Sequence, residues 1–476
     1  MRNSSKSIKS KNMKYKYIIL ISLYLLHTSC EDFVSVEVPD YKIISETVFS
    51  NDITANSAVV GIYNELFKAD FSNGNFRSVT MLAGLSGDNL RTTALNYAMI
   101  EFGENEILNT NSYNLDLWSS AYKIIYMCNA VLDGLQMSEG VTTKMKDKLM
   151  AEARFVRAFV YFYLVNLYGD VPLIQTTDYR VNALASRNTT PEVYELIIDD
   201  LKSAVAVLDI NFDNGERLRA NKFTAMALLA RTYLFVEDWE NAETFSNQVI
   251  DSSDNYTLLE NLNEVFLVNS KESIWQLSPA GRGALSFITN EARIFILTSP
   301  PPNSQQPVAL SSEIIESYDN EDLRLKHWIG KFDTENQAFY YPFKYKNNSQ
   351  GIITEYNMVM RLAEQYLIRA EARAQLGKLT ESIVDLDKIR KRANLQLISD
   401  SAPDIGKEAL LDSISKERNR ELFSEWGHRW LDLKRTGIAT EVLSNKKSSW
   451  QDTDLLYPIP EDEINKNPNL TQNNGY

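Results

Sequence analysis

The chain is 476 residues long, 44% hydrophobic, and carries 63 acidic against 49 basic side chains, for a formal net charge of −14. That composition is too apolar for a disordered polymer and too acidic for a nucleic-acid binder, which needs a basic face to displace counterions. Two cysteines and three histidines exclude a disulfide framework and a Cys-rich zinc site, and leave few ligands for a His-based metal site.

The first thirty residues predict a leader. Arg2, Lys6, Lys9, Lys11, Lys14 and Lys16 precede an apolar run from Ile18 to Leu26, followed by His27-Thr28-Ser29-Cys30. A charged start, a short apolar stretch and a small-residue exit make a secretory signal over 1–29, too short to span a bilayer. Cys30 stands where bacterial lipoprotein signals place the residue that is acylated, with His27 at the position usually held by leucine. Lipidation of Cys30 is therefore expected. Met13 is a second candidate start. Cleavage removes the six positive charges of the leader, so membrane attachment would rest on acyl chains and a protein partner rather than on charge. Cys128 is then the remaining thiol, expected as a buried small hydrophobe in a helix around Trp118–Leu135.

Residues 30–476 read as a single domain built mostly of helices, because apolar residues recur at helical spacing through most of it. Ala151 to Tyr168 is apolar on nearly all sides, which predicts a helix buried between neighbours, stopped by Gly169 and Pro172. Arg154 and Arg157 inside it are expected to pair with carboxylates, since an unpaired buried charge is costly. Phe223–Ile250 and Leu362–Arg390 look like one unit used twice. With Ala230 laid on Ala370, Glu237-Asp238-Trp239 falls on Gly377-Lys378-Leu379. Small residues let two helices approach, and the turn delivers Trp239 or Leu379 to the start of the second helix. That resembles the tetratricopeptide layout. A further helix is expected from about Lys407 to Glu425.

The predicted fold class is thus all-α, with tetratricopeptide-like helix pairs interrupted by irregular insertions at about 70–112 and 270–350. In the second insertion, Glu272–Ser278 and Ala338–Tyr345 read as short strands or extended loops, and Ser299-Pro300-Pro301-Pro302 cannot be helical. Long insertions in a helical body usually carry function.

No catalytic or cofactor motif is present: no HExxH, no GxSxG, no Walker A loop and no Rossmann glycine pattern. No cofactor or metal is expected. The charged stretch Lys416–Arg435 reads as an ion network fixing a helix, rather than as a phosphate clamp or a catalytic carboxylate. Leu422, Phe423, Trp426, Trp430 and Leu433 interleave with its charges, as in a half-buried structural helix.

Five stations carry a family resemblance: Arg154–Leu173, the helix pair through Glu237-Asp238-Trp239, Arg361–Gly377, Glu417–Gly437, and the terminus Leu456–Tyr476 with Pro458, Pro460, Asn467, Pro468 and Asn473. Together they resemble the SusD/RagB family of nutrient-binding outer-membrane lipoproteins of Bacteroidetes. The resemblance implies a helical body with a ligand face built from inserted loops, no catalysis, and a lipid-anchored, surface-exposed position on the outer membrane. It also implies a partner, a SusC-type TonB-dependent transporter over which the lipoprotein sits as a lid. The implied ligands are oligosaccharides, sometimes peptides.

A sugar ring offers apolar C–H faces and a rim of hydroxyls, which flat aromatic side chains and Asn, Asp or Arg groups would satisfy. On the first insertion these are Phe76, Asp88, Asn89, Arg91, Asn96 and Tyr97. On the second they are Arg282, Trp328, Tyr340 and Tyr341. Trp275 lies in an expected strand and is assigned to the core. A glycoside hydrolase would instead need two carboxylates facing each other about 5–10 Å apart across a cleft.

Overall fold

A computed structural model describes residues 45–476 apart from 253, 281–286 and 350. The leader 1–29, Cys30 and Arg282 lie outside the described residues. In chain order the elements used below are α1 (Asp52–Lys68), α2 (Val79–Ser86), β1 (Leu90–Thr92), α3 (Tyr97–Glu104), α4 (Ser112–Met137), α5 (Thr143–Tyr168), α6 (Thr190–Val207), α7 (Lys222–Phe235), α8 (Trp239–Ile250), β2 (Ser273–Leu277), α9 (Asn290–Phe295), β3 (Val308–Leu310), β4 (Ile329–Asp333), β5 (Ala338–Pro342), β6 (Asn357–Arg361), α10 (Leu362–Gln375), α11 (Leu379–Arg392), α12 (Lys407–Leu422) and α13 (His428–Arg435). Phe49–Tyr476 forms one compact unit.

Consecutive helices pack as pairs: α4 on α5, α5 on α6, α7 on α8, and α10 on α11, with α8 also against α10 and α12 against α10 and α11. From Leu149 onward α5 is buried almost without interruption. Its rings build the centre of the core. Phe155 and Phe159 meet Trp275 edge-on at 5.0 and 4.9 Å. Trp275 is fully buried, and its indole N–H donates to the Leu218 carbonyl at 3.2 Å. Gly169 ends the helix at φ +72°, and its N–H donates to Val165 O. Cys128 is buried in α4, and burial raises its thiol pKa.

The repeated unit holds to the register of single hydrogen bonds. At the end of α7, Val236 N donates to Thr232 O and Asp238 N to Tyr233 O; at the end of α10, Leu376 N donates to Ala372 O and Lys378 N to Arg373 O. The turn residue is left-handed in both copies, φ +60° at Glu237 and +77° at Gly377. Each helix thus stops on the same C-terminal cap and reverses into its partner.

The insertions are more regular than the sequence suggests. The first holds α2, β1 and α3, because Ser78 and Asn96 cap two short helices with their side-chain oxygens. The second holds α9 and the strands β2 to β5. Among the described residues three two-stranded antiparallel pairs form, β1–β3, β2–β6 and β4–β5. β1–β3 joins one insertion to the other.

Of the two arginines in α5, Arg157 makes a bidentate pair with Asp200 at 2.8 and 2.9 Å. Arg154 is only half-buried and makes no ion pair among the described residues. From Glu417 onward the stretch 416–435 carries a buried ion network with one end on the insertion, while Lys416 is exposed. Arg324 reaches Asp322 at 2.8 Å, Glu417 at 2.6 Å and Glu421 at 3.0 Å. Arg361 reaches Glu272 at 3.0 Å, Glu425 at 2.9 Å, and Glu421. Arg392 reaches Glu272 at 2.7 Å, and Glu421 as well. Lys344 caps Glu425 and donates to the Glu421 carbonyl at 2.9 Å.

Glu421 lies at the centre. Burial pushes its carboxyl pKa up, but the guanidiniums of Arg392, Arg361 and Arg324 outweigh that and hold it far below the usual range. A carboxylate depressed in the folded state stabilises above its unfolded pKa and loses that contribution as pH falls. Glu421→Gln is therefore expected to destabilise the fold by about 3–5 kcal/mol at neutral pH, because it strands the surrounding guanidiniums. It should also flatten the loss of stability below about pH 4.3. Denaturant unfolding at several pH values measures both.

Candidate ligand-binding face

The face is built where the insertions meet. β1 runs antiparallel to β3 with Leu90 opposite Leu310, Arg91 opposite Ala309 and Thr92 opposite Val308. One further bond, Thr93 N to Pro307 O at 2.7 Å, extends the pairing. A second tie joins the turn before α2 to α9, where Asn290 donates to the Asn73 carbonyl at 2.6 Å. Gly74 is needed beside it. Its φ is +73°, and a side chain there would run into the Glu291 carboxylate.

The β4–β5 hairpin packs against β3 through Phe339, which clusters with Leu297 and Ala309, while Phe332 and Tyr341 cover the cluster from the side. Side chains alternate along a strand, so Phe339 and Tyr341 share one face of β5 and Tyr340 takes the other. The Tyr341 ring lies over Gly330, where a Cβ would collide with it, and meets Phe343 edge-on at 5.9 Å. Arg91 is exposed, and its guanidinium sits 5.3 Å from the centroid of the Phe339 ring. Stacking on the ring leaves the guanidinium free to donate outward. After β1, the chain presents Leu95 and Tyr97 at 76% and 71% exposure. Asn96 between them is a fixed cap. Its Oδ1 accepts from Met99 N at 3.3 Å, and its amide donates to the Tyr113 hydroxyl at 3.0 Å.

The ten expected ligand residues therefore separate. Arg91, Tyr97, Tyr340 and Tyr341 stand on this face or its hairpin, exposed or half-exposed, and Phe76 is half-buried in the turn before α2. Four others are engaged in structure. Asp88, at φ +77°, holds Arg429 at 3.0 Å and also Lys446, tying the turn before β1 to α13 and the segment beyond it. Asn89 is 3% exposed and donates to Asn419 Oδ1 at 2.9 Å. Asn96 is the cap just described.

Trp328 is the correction with most consequence. It is fully buried, donates to the Leu262 carbonyl at 3.0 Å, and has Lys344, Arg361 and Arg392 over its ring at 4.9, 5.5 and 5.7 Å. It lines the ion network and offers no surface for stacking. The sequence reading missed Leu95, Phe332 and Phe339. The alternation in Ala338–Pro342 was the available signal for Phe339, since it places that ring beside Tyr341. Phe339→Ala is expected to destabilise the protein by about 3 kcal/mol or more, whereas Tyr97→Ala should stay within about 0.5 kcal/mol. Denaturant unfolding separates the structural ring from the displayed one.

Comparison with known proteins bears on this architecture. A family model described as starch-binding associating with outer membrane matches residues 37–234, and one described as the SusD family matches residues 304–476. The chain belongs to the SusD/RagB family. A SusD-like protein of Formosa agariphila is 28% identical, over 97% of this chain and 100% of that protein. The starch-binding protein SusD of Bacteroides thetaiotaomicron is 24% identical, over 72% of this chain and 75% of that one. Among solved structures, a SusD superfamily protein of Bacteroides vulgatus superposes with a TM-score of 0.77 at 21% identity, covering 89% of this chain and 99% of the other. A laminarin-binding SusD-like protein superposes with a TM-score of 0.74 at 24% identity, covering 90% and 100%. The SusD fold, with its helix pairs and loop insertions, is thus the fold of this chain.

Proposed function

We propose that this SusD-family chain is a cell-surface glycan-binding lipoprotein, anchored through Cys30, that captures oligosaccharides and hands them to a SusC-type TonB-dependent transporter. One observation carries the ligand reading. The β1–β3 pair fixes two remote insertions into one face that displays Tyr97 and an outward-free Arg91 stacked on Phe339. Ring faces and hydrogen-bond donors held together on a rigid support suit the C–H faces and hydroxyl rim of a sugar. The family description as starch-binding and the laminarin-binding relative support glycans as the class. A peptide ligand would call for open strand edges and charged pockets in place of aromatic platforms.

Stacking on an open face gives modest binding per sugar, so affinity should rise with oligomer length. Isothermal titration with starch and laminarin oligosaccharide ladders is the test. Tyr97→Ala and Arg91→Ala are each expected to weaken binding by about tenfold, a hot-spot loss of about 1.4 kcal/mol. Binding of peptides but of neither ladder would overturn the glycan reading, and turnover of a bound oligosaccharide would overturn the non-catalytic one. Independently, Cys30→Ala should move the protein from the membrane fraction to the soluble fraction. Unchanged fractionation would remove the anchor from this account.

A further inference from the structure

A second concave site lies away from the insertion face, between α4, the loop after α5 and the C-terminal segment. It is a cleft of about 430 Å³. Its floor and one wall come from an aromatic ladder on α4: Trp118, Tyr122 and Tyr126 follow at four-residue spacing, on one helix face. The ladder climbs from the core to solvent. Trp118 is 3% exposed, Tyr122 is half-buried, and Tyr126 is 50% exposed. Trp118 and Tyr122 stack at a tilt with centroids 4.8 Å apart. The opposite wall is Pro172, Ile174 and Tyr179, the last 77% exposed.

The walls are held before any ligand arrives. The Tyr122 hydroxyl donates to Pro172 O at 3.0 Å, Asn129 donates to Ile174 O at 2.8 Å, and Thr177 donates to Asp133 at 2.9 Å. The C-terminal side is pinned by Asn467 to Ala185 O and by Asn469 to Leu184 O, both at 2.7 Å. Such preorganisation reduces the ordering cost of binding. The phenols of Tyr126 and Tyr179 make no hydrogen bond among the described residues, so two hydroxyls stand free at the mouth. The two charged residues lining the cleft, Glu463 and Lys466, neutralise each other at 2.8 Å. The cleft therefore has no net charge to offer an ionic ligand.

We propose that this cleft is a second saccharide site, taking a neutral sugar unit of an oligosaccharide between the Tyr126 and Tyr179 rings above the Trp118–Tyr122 floor. An apolar floor with free phenols at the rim matches a sugar's two kinds of surface, and the volume lies within the range of small-ligand sites. Tyr113, whose hydroxyl holds Asn96 beside the insertion face, is about 20 Å from Tyr126 along α4. The two sites are therefore distinct. The choice of saccharide rests on the glycan reading above; the cleft's geometry does not.

Hydroxyl-radical footprinting of the full chain, with millimolar maltoheptaose or laminarihexaose and an equal mass of glycerol as control, reads both sites at once through the exposed rings of Tyr97, Tyr126 and Tyr179. The expected result is severalfold slower oxidation of Tyr126 and Tyr179 with an oligosaccharide and not with glycerol. That protection should persist in Arg91→Ala/Tyr97→Ala and bring a second binding event in titration, which Tyr126→Ala/Tyr179→Ala removes. Both rings are exposed enough for their removal to leave the fold intact, and thermal melting checks this. Protection of Tyr97 alone at saturation would overturn the second site and leave the first. Protection of Tyr126 and Tyr179 without Tyr97 would do the reverse. Equal protection by glycerol would reduce the cleft to an adventitious polyol effect and overturn the proposal. Coverage of the two rings in intact membranes, with no protection by either oligosaccharide in the purified chain, would overturn it in favour of a protein partner.

Discussion

Buried charge organises this molecule. Glu421 on α12 is surrounded by Arg324 within the second insertion, Arg361 at the end of β6 and Arg392 at the end of α11. Glu272, at the start of β2, bridges Arg361 and Arg392. Helical scaffold and inserted chain are thus joined through ionised groups that have no water to fall back on. Desolvating them is unfavourable, and only near-complete mutual pairing recovers that loss. Such a network tolerates one geometry, so the insertion is fixed at its root with little dependence on its own small core. Trp328 closes the network on one side, as a flat neighbour to three cations.

A rigid root matters because the displayed face is thin. Beyond the network, the second insertion rests on short strand pairs and the cluster of Leu297, Ala309 and Phe339. Isolated two-stranded pairs are marginal in water. Here β1–β3 is stabilised because its ends are tied elsewhere, through Asp88 to Arg429 and through Asn89 to Asn419 and Ser311. Residues that resemble ligand contacts in one dimension thus hold the strand from which Arg91 projects. The helix pairs play the complementary part. They carry α4, whose N-terminal end supports Tyr97 through the Asn96–Tyr113 bond and whose middle lines the aromatic cleft.

Much of the scaffold was legible because its signals are local. The turn at Glu237 and its counterpart at Gly377 match hydrogen bond for hydrogen bond, since a helix stop is written in a few adjacent residues. The burial of α5 and Trp275 followed from apolar residues on every side of one segment and from position in a strand. The ion network was legible as a class of interaction, from charges interleaved with large apolar residues, but its reach to Arg324 and Lys344 was not. Those partners lie 97 and 77 residues from Glu421 in the chain.

By itself, the sequence determined the helical class and the repeated pair. Both depend on spacing within one turn or one element, where chain connectivity fixes which groups meet. Only the tertiary structure decided which aromatic and polar residues of the insertions face solvent. Tyr97 is displayed and Trp328 is buried, although both lie in irregular sequence with similar composition. Their fates depend on strand pairing and ion pairing between segments far apart in the chain, and no local pattern encodes which distant partner will cover a ring.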